Sequence, residues 1–328
     1  MRSRTLKTLF SLSLASSCLL SANAFAAWPE ADKPIHLIVP APGGAGTADT
    51  IARLLADKLG DKLGANVIVE NRGGANGNIG AARAAKAEPD GYSILFSWAG
   101  TLAVSPHIYK DPGFNPIKDF EPIGLVAEVP NILVVNNKLP VKTLGEFIDY
   151  AQKHPNELNF GSSGVGSSMH IAGEFFMRET GTKLMHVPYS APGQATTNLI
   201  ANDIQAMFQL VPGIIGQIKG QQVRPLALLA KQPSPSLPGV PTTASLGYPK
   251  LLSSTWFALL APRSTPASIT DRVNGTLNEI LKDPAVIDKL GAMGATTIGG
   301  TRQELAAYMG DELKKWGAVL TDAGITAK

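Results

Sequence analysis

Apolar residues along this chain fall into two rhythms that take turns through most of its length. Short unbroken runs, too brief for helices, predict buried strands at Ile35–Pro40, Asn66–Glu70, Tyr92–Ser97, Leu133–Val135, Leu158–Phe160, Met185–Pro188, Ile204–Phe208, Arg224–Ala230 and Thr255–Leu260. Between them, apolar positions recur every three or four residues. A helix opening at Thr47, with that hydroxyl as its cap, carries Ile51, Leu54, Leu55 and Leu59 on one side. Leu144–Lys153 and Met169–Thr180 are further helices, the second turning Ala172, Phe175 and Phe176 inward. The end of the chain reads as helical throughout: Pro266–Leu281, Ala285–Met293 and Arg302–Ala323, the last with Leu305, Met309, Leu313, Trp316 and Leu320 on one face. Strands that alternate with helices predict an α/β fold. The Pro- and Ser-rich passage Gln232–Pro241 reads as a linker.

The first 26 residues break this pattern. Arg2, Arg4 and Lys7 precede an apolar stretch from Leu9 to Leu20, and Ala24-Phe25-Ala26 supplies small residues for a cleavage site. That order is the mark of an export signal, cut near Ala26, and it predicts a periplasmic location. The apolar run is too short to cross a bilayer. Cys18, the only cysteine, falls inside it, so a processed chain has neither a disulfide nor a thiolate site. The charge balance changes too. The whole chain carries +3, but removing three basic residues and no acidic ones leaves equal numbers of each sign. The apparent basicity belongs to the signal and gives no reason to expect nucleic acid as a partner. The roughly 300 residues that remain suffice for two domains.

Candidate chemistry sits in three glycine-rich turns, each between a strand and a helix: Pro40–Thr47, Asn71–Asn78 and Gly161–Ser168. Glycine permits close approach and positive φ, so such turns aim several backbone N–H groups at one point. The helix start adds unpaired donors and a partial positive charge worth about 0.3–1 kcal/mol to an anion. The first and third turns hold no Lys or Arg, and Arg72 is the only charged side chain in the second. A carboxylate is therefore expected to be held by neutral donors. Other chemistry is poorly supported. Gly44-Ala45-Gly46 begins like a dinucleotide fingerprint, but Asp49 stands at its third glycine. Ser162, Ser163, Ser167 and Ser168 lie near His170 without a Gly-x-Ser-x-Gly elbow. His36, His107, His154, His170 and His186 have no metal-ligand spacing. No cofactor, metal or catalytic residue is expected.

Several segments, in order, carry a resemblance. They include Pro34–Pro40 with its glycine turn, Asp49–Arg53, Val69–Arg72, Gly77–Gly80, Pro89–Tyr92, Ser105–Tyr109, Lys118–Phe120, Gly164–His170 with Gly173-Glu174, Pro188-Tyr189, Pro238–Thr242 and Trp256–Pro262. The chain resembles the Bug family, the TctC-like substrate-binding proteins of tripartite tricarboxylate transporters. That resemblance implies a two-domain periplasmic-binding-protein fold of type II-like form, with mixed sheets flanked by helices and a hinge of crossing strands. It implies domain 1 from 27–125 with 230–328, and domain 2 from 126–229. It also implies a non-enzymatic, monomeric receptor that captures a small dicarboxylate, tricarboxylate or aromatic acid and presents it transiently to membrane transporter subunits. The ligand-binding residues carried over are Gly44, Ala45, Gly46, Thr47, Gly77, Asn78, Ser97, Trp98 and Thr101 from one domain. From the other come Ser162, Gly164, Gly166, Ser167, Ser168, Tyr189, Ser190, Ala191 and Gln209. Gln209 stands where the family often has Asp, which favours a plain carboxylate over an amino acid; Trp98 can stack on an aromatic ring. Two alternatives share these marks: a ligand sensor for a signalling system, and an exported serine hydrolase using Ser167 or Ser168.

Overall fold

The computed structural model describes residues 28–322 apart from Ala31 and Ala45. The export segment with its cleavage site, Cys18 and the expected ligand contact Ala45 lie outside the described residues.

The strands are β1 Ile35–Val39, β2 Val67–Asn71, β3 Ser93–Trp98, β4 Phe120–Asn136, β5 Asn159–Ser162, β6 Met185–Pro188, β7 Ala206–Leu210, β8 Val223–Leu228, β9 Ser254–Pro262 and β10 Thr296–Gly299. The helices are α1 Thr47–Leu63, α2 Asn78–Ala85, α3 Ser105–Ile108, α4 Leu144–Lys153, α5 Ser168–Thr180, α6 Pro192–Ala201, α7 Ile215–Lys219, α8 Ala267–Ile280, α9 Pro284–Ala292 and α10 Arg302–Asp322. Local chemistry sets several boundaries. Ile51, Leu55 and Leu59 of α1 are buried, and the helix stops at Gly64, whose left-handed φ of 68° lets its N–H return to the Gly60 carbonyl. The Thr143 hydroxyl caps α4 by accepting from the Glu146 N–H.

The strands follow the order β2-β1-β3-β9-β4-β7-β5-β6, with β8 and β10 also on β4. Strand β4 joins the two halves. Up to Pro130 it lies antiparallel to β9 and β10; from Asn131 it lies antiparallel to β7 and β8. The chain returns through residues 229–253, and Asn131 fastens that return: its N–H donates to the Ser253 carbonyl and its carbonyl accepts from Leu229. These are the crossing strands of a mixed α/β binding-protein fold. The first lobe packs helices on both faces of its sheet, around Leu37, Leu55 and Phe257 on one side and Leu95, Trp256 and Leu305 on the other. The second lobe does the same around Phe147, Phe160 and Phe208, and around Ile132, Met169 and Met207.

The hydrophobic pattern passed over the helices α2, α3, α6 and α7 and misjudged three further places. Only Leu133–Val135 of β4 was expected, because Glu121, Pro122, Gly124, Glu128 and Pro130 interrupt the apolar run. The sheet accommodates them with register shifts at Pro122/Gly124 and Leu125/Ala127. The helical tail contains β10, a largely polar strand whose partner, β4, is remote in sequence. The expected linker is a packed part of the second lobe, with Leu237 and Val240 in its core and Ser234 buried. Pro and Ser mark its irregular backbone correctly but say nothing about whether it is buried.

Candidate functional site

A cavity of about 530 Å³ lies between the lobes. The first lobe contributes the start of α1, the second glycine turn, Trp98 at the end of β3 and Phe257 of β9. The second contributes the third glycine turn, Tyr189 and Ser190 after β6, the first turns of α6 and the end of β7. Among the described residues, none that lines it is Asp, Glu, Lys, Arg or His.

Of the expected ligand contacts, Gly46, Thr47, Gly77, Trp98, Gly164, Ser168, Tyr189, Ser190 and Gln209 line this cavity. Gly44, Asn78, Ser97, Thr101, Ser162, Gly166, Ser167 and Ala191 do not. Each of these has a geometric reason. The Gly44 N–H donates to Asp49 Oδ2 at 3.0 Å. Ser97 precedes Trp98 on β3, so the alternation of the strand sends it to the opposite face, where it is buried opposite Ala258. Asn78 opens α2 and is buried, and Thr101 spends its hydroxyl on the Asn76 carbonyl at 2.7 Å. Gly166 is packed against Ile108 and donates its N–H to His170 Nδ1 at 3.2 Å. Ser167 and Ala191 are the caps of α5 and α6; the Ser167 hydroxyl accepts from the His170 N–H. Thr47, expected as a cap, is the first helical residue of α1, and Gly46 caps that helix with no side-chain oxygen. The start of α1 is thus left without a side-chain acceptor, facing the cavity.

A buried carboxylate braces the first two turns. Asp49 is 4% exposed, and its carboxylate accepts from Arg53 at 2.9 and 3.1 Å, from Asn71 at 2.9 Å and from the Gly44 N–H. Burial works to raise its pKa, but these donors outweigh burial and hold the carboxyl below its ordinary value. The first turn is thereby tied to the second with the charge already neutralised. Arg72 pairs with Glu70 at 2.7 Å and takes no part in the cavity. Burial pushes the phenols of Tyr109 and Tyr189 up, with Asp203 adding to the effect at Tyr189, so both stay neutral donors within the wall.

Sequence reasoning missed Asn76 and α6. Asn76 has a left-handed φ of 54°, and its Nδ2 lies 3.0 Å from the Gly100 carbonyl, 3.2 Å from Ser105 Oγ and 3.3 Å from the Gly166 carbonyl. The last contact runs from one lobe to the other beside the cavity. An Asn in a glycine-rich turn, directly before Gly77, was the available signal, since Asn tolerates this φ. Helix α6 opens on Pro192 at the cavity, with Gly193, Thr196 and Thr197 in the wall; its polar, Thr-rich face hid it from an apolar-periodicity search.

The serine and histidine cluster takes a different form from the one expected. Ser162 Oγ lies 2.6 Å from His186 Nε2, and the His186 and His170 rings lie with centroids 4.0 Å apart, tilted by 30°. His170 Nε2 is 3.4 Å from Glu174. Burial, and then the neighbouring His170, lower the His186 pKa to about 3, so this imidazole is neutral at ordinary pH. Ser162 is fully buried and absent from the cavity wall, which leaves it no route to a substrate. Ser167 caps a helix and Ser168 makes no hydrogen bond to a histidine among the described residues.

The chain is similar to known proteins over nearly its whole length. Residues 51–325 match the model of the tripartite tricarboxylate transporter family receptor. Protein BugT of Bordetella pertussis is 35% identical over 297 residues, covering 90% of this chain and 91% of that protein. Among solved structures, Rpa4515 of R. palustris with adipate is 32% identical with a TM-score of 0.88, covering 92% of this chain and 100% of that one. MatC of Rhodopseudomonas palustris with bound malate is 28% identical with a TM-score of 0.81, covering 88% of this chain and 99% of that one.

Proposed function

This chain belongs to the tripartite tricarboxylate transporter receptor family, and from that membership we propose that it captures a small carboxylate between its two lobes and delivers it to the membrane subunits of such a transporter. The family is one of periplasmic solute receptors.

One observation carries the ligand class. The inter-lobe cavity has no ionised side chain in its wall, yet the starts of α1, α5 and α6 and the second glycine turn all reach it. Backbone N–H groups at helix starts favour an anion, and with no competing cation they do so by dipoles and hydroxyls alone. Each helix end is worth about 0.3–1 kcal/mol, rising towards about 2 kcal/mol when partly buried, so turns from both lobes are needed for useful affinity. The adipate and malate held by the two similar structures support this reading.

The mechanism follows from two lobes sharing one ligand. Contacts made to both lobes at once exist only when they are together, so the bound acid favours the closed arrangement by its differential affinity. Strand β4, continuous through Pro130 and Asn131, is the element that flexes. We take 27–125 with 230–328 as one domain and 126–229 as the other along the chain; the boundary at residue 126 falls inside β4, ahead of the change of strand partners, while Leu237, Val240 and Leu251 of the returning segment pack in the core of the second lobe, which therefore reaches past residue 229. The protein acts as an exported, periplasmic monomer without cofactor.

The test is native mass spectrometry of the purified protein, followed by a thermal-shift screen of dicarboxylates, tricarboxylates and aromatic acids. A true ligand at a hundredfold excess over its Kd stabilises the fold by about 2.7 kcal/mol and is recovered unchanged. If no acid raises the melting temperature, carboxylate capture is wrong; turnover of an ester or amide would reinstate the hydrolase.

A further inference from the structure

Several polar side chains in the cavity wall already have partners within the protein. Thr196 and Thr197 donate to backbone carbonyls of their own helix, and Ser190 donates to Gln194. Gln209, on β7, is different. It is 2% exposed and lines the cavity, and its Nε2 has no hydrogen-bond partner. Among the described residues it is the one cavity-lining side chain with a buried polar atom left unpaired.

The orientation of this amide is determined by its surroundings. Its Oε1 accepts from the Leu210 N–H at 2.9 Å, a contact that the NH2 group cannot make. The amide packs against Gly213, where even a Cβ would come within 3.2 Å of the Gln209 Cδ. With the acceptor engaged and one face covered, what is left unpaired is a buried donor.

We propose that Gln209 is the specificity-determining residue of the cavity: its Nε2 donates to an oxygen at the far end of the bound acid, selecting a second carboxylate there and rejecting an ammonium. The inference rests on the cavity being a carboxylate site, and it narrows that site to diacids. A buried donor left unpaired by a ligand with a methyl end is penalised, and an ammonium end brings a second donor against the first. No carboxylate in the wall is available to receive that ammonium.

Three probes of equal chain length separate these ends: adipate, caproate and ε-aminocaproate. Isothermal titration at about pH 8, where a buried carboxyl is most readily ionised, compares the protein with Gln209→Glu and Gln209→Met. The unaltered protein binds adipate at least about tenfold more tightly than caproate, and ε-aminocaproate most weakly. Gln209→Met removes the donor and shrinks the adipate advantage below about threefold. Gln209→Glu keeps the acceptor for the Leu210 N–H and replaces only the donor; adipate falls to the weakest of the three and ε-aminocaproate becomes the strongest. If Gln209→Met does not fold, the reversal in Gln209→Glu decides the matter. An adipate-to-caproate ratio unchanged by either variant overturns the proposal, as does failure of all three probes to bind the unaltered protein. Other acids responding in the wider screen would then leave carboxylate capture standing and only the role of Gln209 rejected, whereas silence across the whole screen would bring down both.

Discussion

Gly166, in the second lobe, presses closely on Ile108 of the first. A Cβ added there would lie 1.9 Å from Ile108 Cδ1, and the residue has a φ of +80°. Gly166→Ala therefore combines two costs: about 1–2 kcal/mol for a side chain in the left-handed region, and about 1–3 kcal/mol for overpacking. Ile108 cannot simply swing away, because it is 4% exposed and packed with Val104, Ile171 and Leu320. The expected loss is about 2–5 kcal/mol of folding stability, read from urea unfolding. Because Ile108 and Gly166 belong to different lobes, the added methyl also props them apart, and binding of the acid weakens beyond what the stability loss explains. Ile108→Val removes the clashing carbon at a cost of about 0.5–1.5 kcal/mol by itself. In the double variant the steric part disappears while the backbone part remains, giving a favourable coupling of about 1 kcal/mol or more. Strict additivity of the two substitutions would refute the contact as the cause.

Three further outcomes are expected. Asn76→Gly keeps the left-handed backbone while deleting the amide that reaches the Gly166 carbonyl, and should weaken acid binding about 2–13-fold, the worth of one net hydrogen bond; unchanged titration isotherms would show the link between lobes to be idle. His186 has a folded pKa of about 3, below its unfolded value of about 6.5, so the unfolded chain binds more protons between those limits. Stability is accordingly full above about pH 6.5 and declines as pH falls towards about 3, by at most about 1.4 kcal/mol per pH unit; His186→Gln should flatten that part of a melting-temperature-versus-pH curve. Glu312 Oε2 accepts from both Trp256 Nε1 and Trp316 Nε1 at 2.9 Å, so Glu312→Leu leaves the buried Trp256 indole without its acceptor and costs about 1–3 kcal/mol in denaturant unfolding. Glu312 is remote from the ligand cavity, so acid affinity in that variant should hold.

What could be read in advance was local. The strand, glycine turn and helix units were legible because a buried strand needs consecutive apolar residues, and a sharp turn into a helix needs glycine. The uncharged character of the first and third turns was legible for the same reason, and it forecast a cavity wall free of cations. Asn76 escaped notice because its importance lies in three acceptors from distant segments.

The sequence by itself determined the α/β alternation, the glycine turns, the family and the uncharged character of two of those turns, since each depends on residue type at short spacing. Tertiary structure decided which members of each turn reach the cavity. Ser97 and Trp98 are neighbours in sequence, yet strand alternation sends one to each face of the sheet. Ser162, Gly166 and Ser167 have the right chemistry but are engaged by His186, His170 and the start of α5. Only the fold reveals that Gln209 has a donor left over, because whether a buried polar group is paired depends on everything packed around it.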